Sequence, residues 1–148
     1  LKADISEMRG MIEQKKPSKG PYDFKLMPGG LIDLEFIAQG AVLSGQFTGP
    51  RSTSTEAVLH AMNNPGLAAS RRKLLVEAHQ LFSSMTQILR LCLNSDPEDE
   101  ELGVTLFDIM RRAADMPDSK TLKAHVENTA GQVREIFDLL YRKPPVAA

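Results

Sequence analysis

Apolar residues recur at three- and four-residue spacing along almost the whole chain, and this period most constrains its fold. One stripe runs through residues 69–94, and a second follows Asp118, a good N-cap, and ends near Tyr141 before two prolines. Only eight residues are aromatic, and few segments alternate β-branched with polar residues, so little material remains for strands. The sequence therefore predicts an all-α protein.

The remaining segments predict shorter helices joined by short connections. A first helix is expected to stop before Lys15-Lys16-Pro17, followed by a connector at residues 16–28. Thr53 and Glu56 fit a capping box that opens a brief helix, and another helix follows the acidic loop at residues 96–101. We expect an antiparallel helical bundle of about six helices.

We predict that residues 1–148 form a single helical domain. Residues 1–29 are the leading helix and connector, residues 30–94 the motif helix and a long core helix, residues 95–143 two C-terminal helices, and residues 144–148 a tail. The two long stripes are expected to share one core, made of Leu74, Leu81, Phe82, Met85, Leu89, Val133, Phe137 and Leu140.

Composition excludes several classes of function. The chain has 18 Lys and Arg against 19 Asp and Glu, and a net charge of −1 does not attract nucleic acid by long-range electrostatics. The most apolar stretch, residues 31–43, contains charged residues and is shorter than the ~20 residues that cross a bilayer. The single Cys92 indicates a reducing, cytoplasmic setting and acts as an apolar filler on its stripe. The chain begins with Leu rather than Met, so we expect a piece of a longer protein.

The most informative segment is a Gly-Gly turn followed by a helix. Gly29 and Gly30 could let a phosphate approach the helix N-terminus, but Asp33 in the first turn would repel it, which favours a structural turn. Asp33 and Glu35 lie ~200° apart around a helix and cannot face one metal ion. We find no catalytic constellation in the sequence.

Other chemistry-bearing side chains also favour structural roles. The three histidines lie on separate predicted helices without metal-site spacing: His60, His79 and His125. The basic runs at residues 71–73 and 111–112 lack interleaved aromatic residues that could stack bases. They are expected to be solvated faces or docking points for an acidic neighbouring domain.

The sequence FKLMPGGLIDLEFIAQ at residues 24–39, preceded by Met8-Arg9, resembles the bacterial glutamine synthetase adenylyltransferases. That family of bifunctional enzymes carries the pattern D-K-x-x-x-G-G-I-x-D-I-E-F-x-x-Q after each of its two nucleotidyltransferase domains, and Leu31 stands in the Ile position. The resemblance continues through residues 86–93 and 113–118 and covers nearly the whole chain.

The resemblance implies a helical domain that follows the second nucleotidyltransferase domain. The parent enzyme transfers AMP from ATP, with Mg²⁺, to a tyrosine of glutamine synthetase and so regulates nitrogen assimilation. Its catalytic Asp pair and its Gly-Ser loop lie upstream, so this fragment alone is expected to be inactive and to hold no cofactor or metal. The implied partners are the upstream nucleotidyltransferase domain, glutamine synthetase and the PII signalling protein, without nucleic acid or membrane.

The chain departs from the family in the second half of the motif helix. Gly40, Ser44 and Gly45 stand where the family tends to carry a large residue, often Tyr, and further on an Arg. Glycine weakens a helix interior by about 1 kcal/mol, so this helix is expected to end early or to pack closely against a neighbour.

The resemblance also implies an interface with the nucleotidyltransferase domain, made by the motif residues Lys25, Gly29, Gly30, Asp33, Glu35 and Gln39. Glu35 has mostly apolar helical neighbours, and an unpaired buried charge is costly, so we predict that it pairs with Arg9 in the preceding helix. An alternative interpretation of the whole chain is a free-standing helical interaction adaptor without an enzymatic parent.

Overall fold

The computed structural model describes residues 1–20, 22–50, 52–91 and 100–142, and only the backbone of residues 100–103. These ranges form six helices without a strand: α1 Lys2–Lys15, α2 Leu31–Leu43, α3 Thr55–Ala61, α4 Ala69–Leu91, α5 Glu100–Ala113 and α6 Ser119–Tyr141. The predicted all-α class with six helices is confirmed. None of these helices, within the described ranges, is both long and apolar enough to cross a membrane. Cys92, residues 96–99 and the tail at residues 144–148 lie outside the described residues.

The start of α6 follows the sequence prediction, whereas the start of α3 does not. The Asp118 carboxylate accepts the Thr121 N–H at 2.6 Å, and this hydrogen bond lowers the pKa of the carboxyl. At α3 the N-cap is Ser54 rather than Thr53, because the Thr53 hydroxyl donates to the Pro50 carbonyl instead. The predicted capping box at Thr53 is therefore wrong.

The core lies where the stripes of α4 and α6 face the other helices. The inner faces of these two helices bury Leu75, Ala78, Phe82, Met85, Leu122, Val126, Ala130, Val133, Ile136 and Phe137. Four residues of the predicted shared core belong to this cluster, Phe82, Met85, Val133 and Phe137, and the other four pack against it. Those other four are only partly buried and line its margin: Leu74, Leu81, Leu89 and Leu140.

Contacts along the helices show which of them run antiparallel and which run in the same direction. The α1–α2 pair is antiparallel, with Ile5 near Gly40 and Arg9 bonded to Asp33. In contrast, α2 and α6 run in the same direction. Gly29 lies against Ala130 at one end of the pair, and the Tyr141 hydroxyl donates to the Ile37 carbonyl at the other. The predicted antiparallel arrangement thus holds for α1 and α2, whereas α2 and α6 are parallel.

The connector before α2 is a series of turns. The Asp23 carboxylate accepts the N–H groups of Lys19 and Leu26, both at 3.1 Å, and so bends the chain on both sides. This bend places Phe24 in the core, where its ring stacks on Phe82 at 6.0 Å between centroids. The connector is thereby anchored to α4.

Candidate functional site

The Gly-Gly turn that opens α2 is required by space rather than by a ligand. A Cβ on Gly29 would lie 1.8 Å from the Ala130 carbonyl oxygen, and Gly29 has φ +80°, which favours glycine. A Cβ on Gly30 would lie 2.4 Å from the Phe24 carbonyl oxygen. The turn therefore lets α2 and the connector approach α6, as the structural interpretation predicts.

The Asp33 carboxylate is the centre of the site and is fully buried, with 0% of its surface exposed. Its Oδ2 accepts the Gly29 N–H at 2.6 Å, so the carboxylate holds the turn that precedes the N-cap residue Gly30. Its Oδ1 accepts the Arg9 Nε–H at 2.5 Å. Arg134 Nη1 donates to both oxygens, at 2.9 and 3.2 Å. Charged and backbone donors therefore surround a buried anion, the condition under which such burial is tolerated.

Arg9 connects three elements at this site and is also 0% exposed. Besides the bond from α1 to Asp33 in α2, its Nη2 donates to the connector carbonyls of Leu26 at 3.0 Å and Met27 at 3.4 Å. Among the described atoms, its Nη1 is buried without a hydrogen-bond partner. A guanidinium presents its donors in a fixed fork, so these bonds fix the angle between α1, the connector and α2.

Arg134 extends the network from α6 to α1. Its Nη2 donates to Glu13 Oε1 at 2.5 Å, and its guanidinium lies 5.2 Å from the centroid of the Phe137 ring. Burial lowers the pKa of Arg134, but the nearby carboxylates of Asp33 and then Glu13 outweigh this effect and raise it above its ordinary value. We call Arg9, Glu13, Asp33 and Arg134 the ion cluster; it holds two guanidiniums and two carboxylates, so its formal charges balance.

The predicted pairing of Arg9 with Glu35 is wrong, because Arg9 binds Asp33 and Glu35 is exposed. Helix α2 is apolar on nearly every side, so its apolar neighbours did not mark Glu35 as inward-facing. The motif residues divide into two groups. Gly29, Gly30 and Asp33 are buried, so the expectation that Asp33 faces another domain is also wrong, whereas Lys25, Glu35 and Gln39 are exposed.

Gly40 accounts for the departure in the second half of α2. A Cβ there would lie 2.1 Å from the Tyr141 hydroxyl oxygen, so the ring from α6 occupies the space that a side chain would need. Burial raises the pKa of Tyr141 to about 12. The helix ends at Leu43, with Ser44 as C-cap and Gly45 at φ +77°. The expectation of close packing at Gly40 is confirmed.

The histidines are not brought together. His60 and His125 are exposed, and His79 is half-buried. Burial lowers the pKa of His79, while Glu56 and Glu35 oppose the shift. In the described part of the chain, no group of three or more His, Cys, Asp or Glu residues is arranged to hold a metal ion.

The sequence interpretation missed Glu13, Arg134 and Tyr141. Arg134 carries one usable signal, because its helical neighbours Ala130 and Phe137 both belong to the apolar stripe of α6. A charged residue beside such a stripe requires a partner. The ion cluster joins α1, α2 and α6, and its Asp33 carboxylate is not exposed to solvent.

Comparison with known proteins decides the family. The chain is 44% identical over 144 residues to the bifunctional glutamine synthetase adenylyltransferase/adenylyl-removing enzyme of Mesorhizobium japonicum, across 96% of the chain. This chain belongs to that family, as a homologue of one segment of the enzyme. The enzymes of the same name from Rhizobium meliloti and Brucella suis are 38% and 37% identical over 141 residues, covering 93% and 95% of the chain.

This adenylyltransferase segment spans about 14% of the length of each of these relatives. No protein-family profile matches it, and no solved structure matches it. The comparisons agree with the enzyme interpretation and supply nothing in favour of the free-standing adaptor.

Proposed function

We propose that the chain is a non-catalytic helical domain that braces the nucleotidyltransferase domain of a glutamine synthetase adenylyltransferase. The observation that carries this proposal is the ion cluster. The hydrogen bonds of Asp33 fix residues 24–39, which we call the motif segment, to the interior of the protein. The same segment exposes Lys25, Glu35 and Gln39 to solvent. A segment fixed on one side and exposed on the other suits a domain contact.

The parent reaction transfers AMP from ATP, with Mg²⁺, to a tyrosine of glutamine synthetase, and the catalytic Asp pair lies outside this chain. The name of the relatives, which includes an adenylyl-removing activity, supports this proposal. Glutamine synthetase is the protein substrate, the PII protein is a candidate regulator at the same domain, and the cytoplasm is the setting in which all three meet.

The proposal is tested in a full-length chimera. The matching segment of the Mesorhizobium japonicum enzyme is replaced by this chain, and transfer of labelled AMP to glutamine synthetase is measured. We expect the chimera to be active and the triple variant Lys25→Ala/Glu35→Ala/Gln39→Ala to lose at least about tenfold in rate, because the domain contact positions the catalytic domain.

The matched control is Lys123→Ala/Glu127→Ala/Asn128→Ala, which removes a lysine, a glutamate and an amide from the exposed face of α6. We expect it to change the rate less than twofold. An unaffected triple motif variant would contradict the proposed contact. Adenylyl transfer by the isolated 148-residue chain would contradict its non-catalytic role.

A further inference from the structure

A groove with a volume of 1110 Å³ lies between α1, the connector and the first turn of α2. Its apolar lining consists of Met8, Met11, Ile12, Leu26 and Ile32. Met8 is 55% exposed and Met11 47%, and their spacing of three residues puts them side by side on α1. Methionine is flexible and polarizable, which suits it to receiving another apolar surface.

The charges on the rim of the groove are separated along α1. Lys15, Lys16 and Lys19 line the groove at and beyond the C-terminal end of α1, and with Lys25 of the connector we call them the basic end; Asp4 and Glu7 line the groove near the start of α1. The whole chain has a net charge of only −1, so this basic end is a local concentration. From Asp4 to Lys15 the helix rises ~16 Å, the length of about three helical turns.

The ion cluster holds the walls of the groove in place. Arg9 lies on α1 next to Met8, bonds to the carbonyl of Leu26 in the connector and bonds to Asp33 in α2. These are the three elements that form the groove. Its shape is therefore fixed before anything binds, which reduces the entropy cost of docking.

We infer that the groove docks an amphipathic segment of the parent enzyme's own nucleotidyltransferase domain, about three helical turns long. Its apolar face covers Met8 and Met11, and its carboxylates lie against the lysines of the basic end. The inference rests on the proposed function and names the surface and chemistry of that contact. Charge complementarity favours an acidic occupant, and the matched segment is only 14% of each relative, so most of the enzyme's chain is available to supply it.

The test compares methionine oxidation in the isolated chain and in the full-length chimera. Hydrogen peroxide converts accessible methionines to the sulfoxide, and mass spectrometry follows each position. We expect Met8 and Met11 to be oxidised at least about fivefold more slowly in the chimera. The buried methionines provide internal controls that stay slow in both proteins: Met27, Met62, Met85 and Met110.

A charge variant tests the basic end separately. Lys15→Glu/Lys25→Glu in the chimera should repel the acidic segment and accelerate oxidation of Met8 and Met11 at least about threefold. Lys73→Glu/Lys123→Glu, which changes exposed lysines away from the groove, should leave both rates within about 1.5-fold. Equal rates for the two variants would overturn the acidic character of the occupant.

Other outcomes overturn the inference. Protection that appears only when glutamine synthetase is added would assign the groove to the protein substrate. Protection of the isolated chain that grows with its concentration would assign it to a second copy. An active chimera in which Met8 and Met11 are not protected would contradict docking in the groove and leave the proposed function intact. An inactive chimera in which they are not protected would contradict both the docking and the proposed function.

Discussion

The two sides of this bundle bury different chemistry. On the α4 side, the interior is an apolar seam formed by Leu75, Ala78, Phe82 and Met85. On the α1–α2–α6 side, it is the ion cluster, whose two central residues, Arg9 and Asp33, are each 0% exposed. In an apolar seam, the stability lost on truncation grows with the buried volume removed. In a buried ion pair, removal of one member costs much more stability, because the other charge is left without compensation.

The largest expected effect comes from removing the central carboxylate. Asp33→Ala leaves two guanidiniums without their shared partner and should lower the free energy of unfolding by about 3–5 kcal/mol. Urea denaturation followed by circular dichroism measures this loss. Glu35→Ala, which removes an exposed carboxylate from the same helix, is the control and should stay within about 0.5 kcal/mol. A loss below about 1 kcal/mol for Asp33→Ala would contradict a cooperative cluster.

The apolar seam should respond according to burial. Leu75→Ala, at a position with 0% exposure, should cost about 2–5 kcal/mol. Leu81 lies on the same stripe but at the margin of the core, so we expect Leu81→Ala to cost roughly half the loss of Leu75→Ala. The same denaturation experiment compares the two. Equal losses would show that the margin is as tightly packed as the centre.

A smaller effect is expected where α2 meets α6. Gly40→Ala places a methyl group against the Tyr141 hydroxyl and should cost about 1–3 kcal/mol through overpacking. Gly10→Ala is the matched control, because a Cβ there meets nothing within 4 Å and alanine favours a helix interior by about 0.5–1 kcal/mol. Addition of Tyr141→Leu should recover part of the Gly40→Ala loss. If both glycine variants gained stability, the close approach would be refuted.

The smallest effect concerns pH. The pKa of His79 lies below 6.5 in the folded protein, so below pH 6.5 the unfolded chain binds more protons than the folded one. The stability linked to His79 is present above pH 6.5 and is lost as the pH falls toward the folded pKa. His79→Gln should therefore lose less stability than wild type between about pH 7.5 and 5.5, by under about 1 kcal/mol.

Thermal melts at several pH values measure this difference. His60→Gln, which replaces an exposed histidine, controls for the loss of a histidine as such. Identical pH slopes for wild type and His79→Gln would remove the burial of His79 as a source of pH dependence.

The sequence predicted the apolar seam better than the ion cluster, for a physical reason. The stripes of α4 and α6 repeat every three to four residues, and each repeat supports the same buried face. The choice between Asp33 and Glu35 depends instead on Arg134, which lies 101 residues later in the chain and reaches Asp33 only through the fold. The contact of Asp33 with the Gly29 N–H is local instead, because the two residues are only four apart in the chain.

The same long separation has a consequence for synthesis on the ribosome. Asp33 needs α6 for half of its charge compensation, and translation at about 5–20 residues per second delivers Arg134 roughly 5–20 s after Asp33. During this interval, water must solvate the carboxylate, and α2 remains apart from its final partner. The motif segment therefore reaches its native form only after α6 has been synthesised. Until then, chaperones and proteases have access to it.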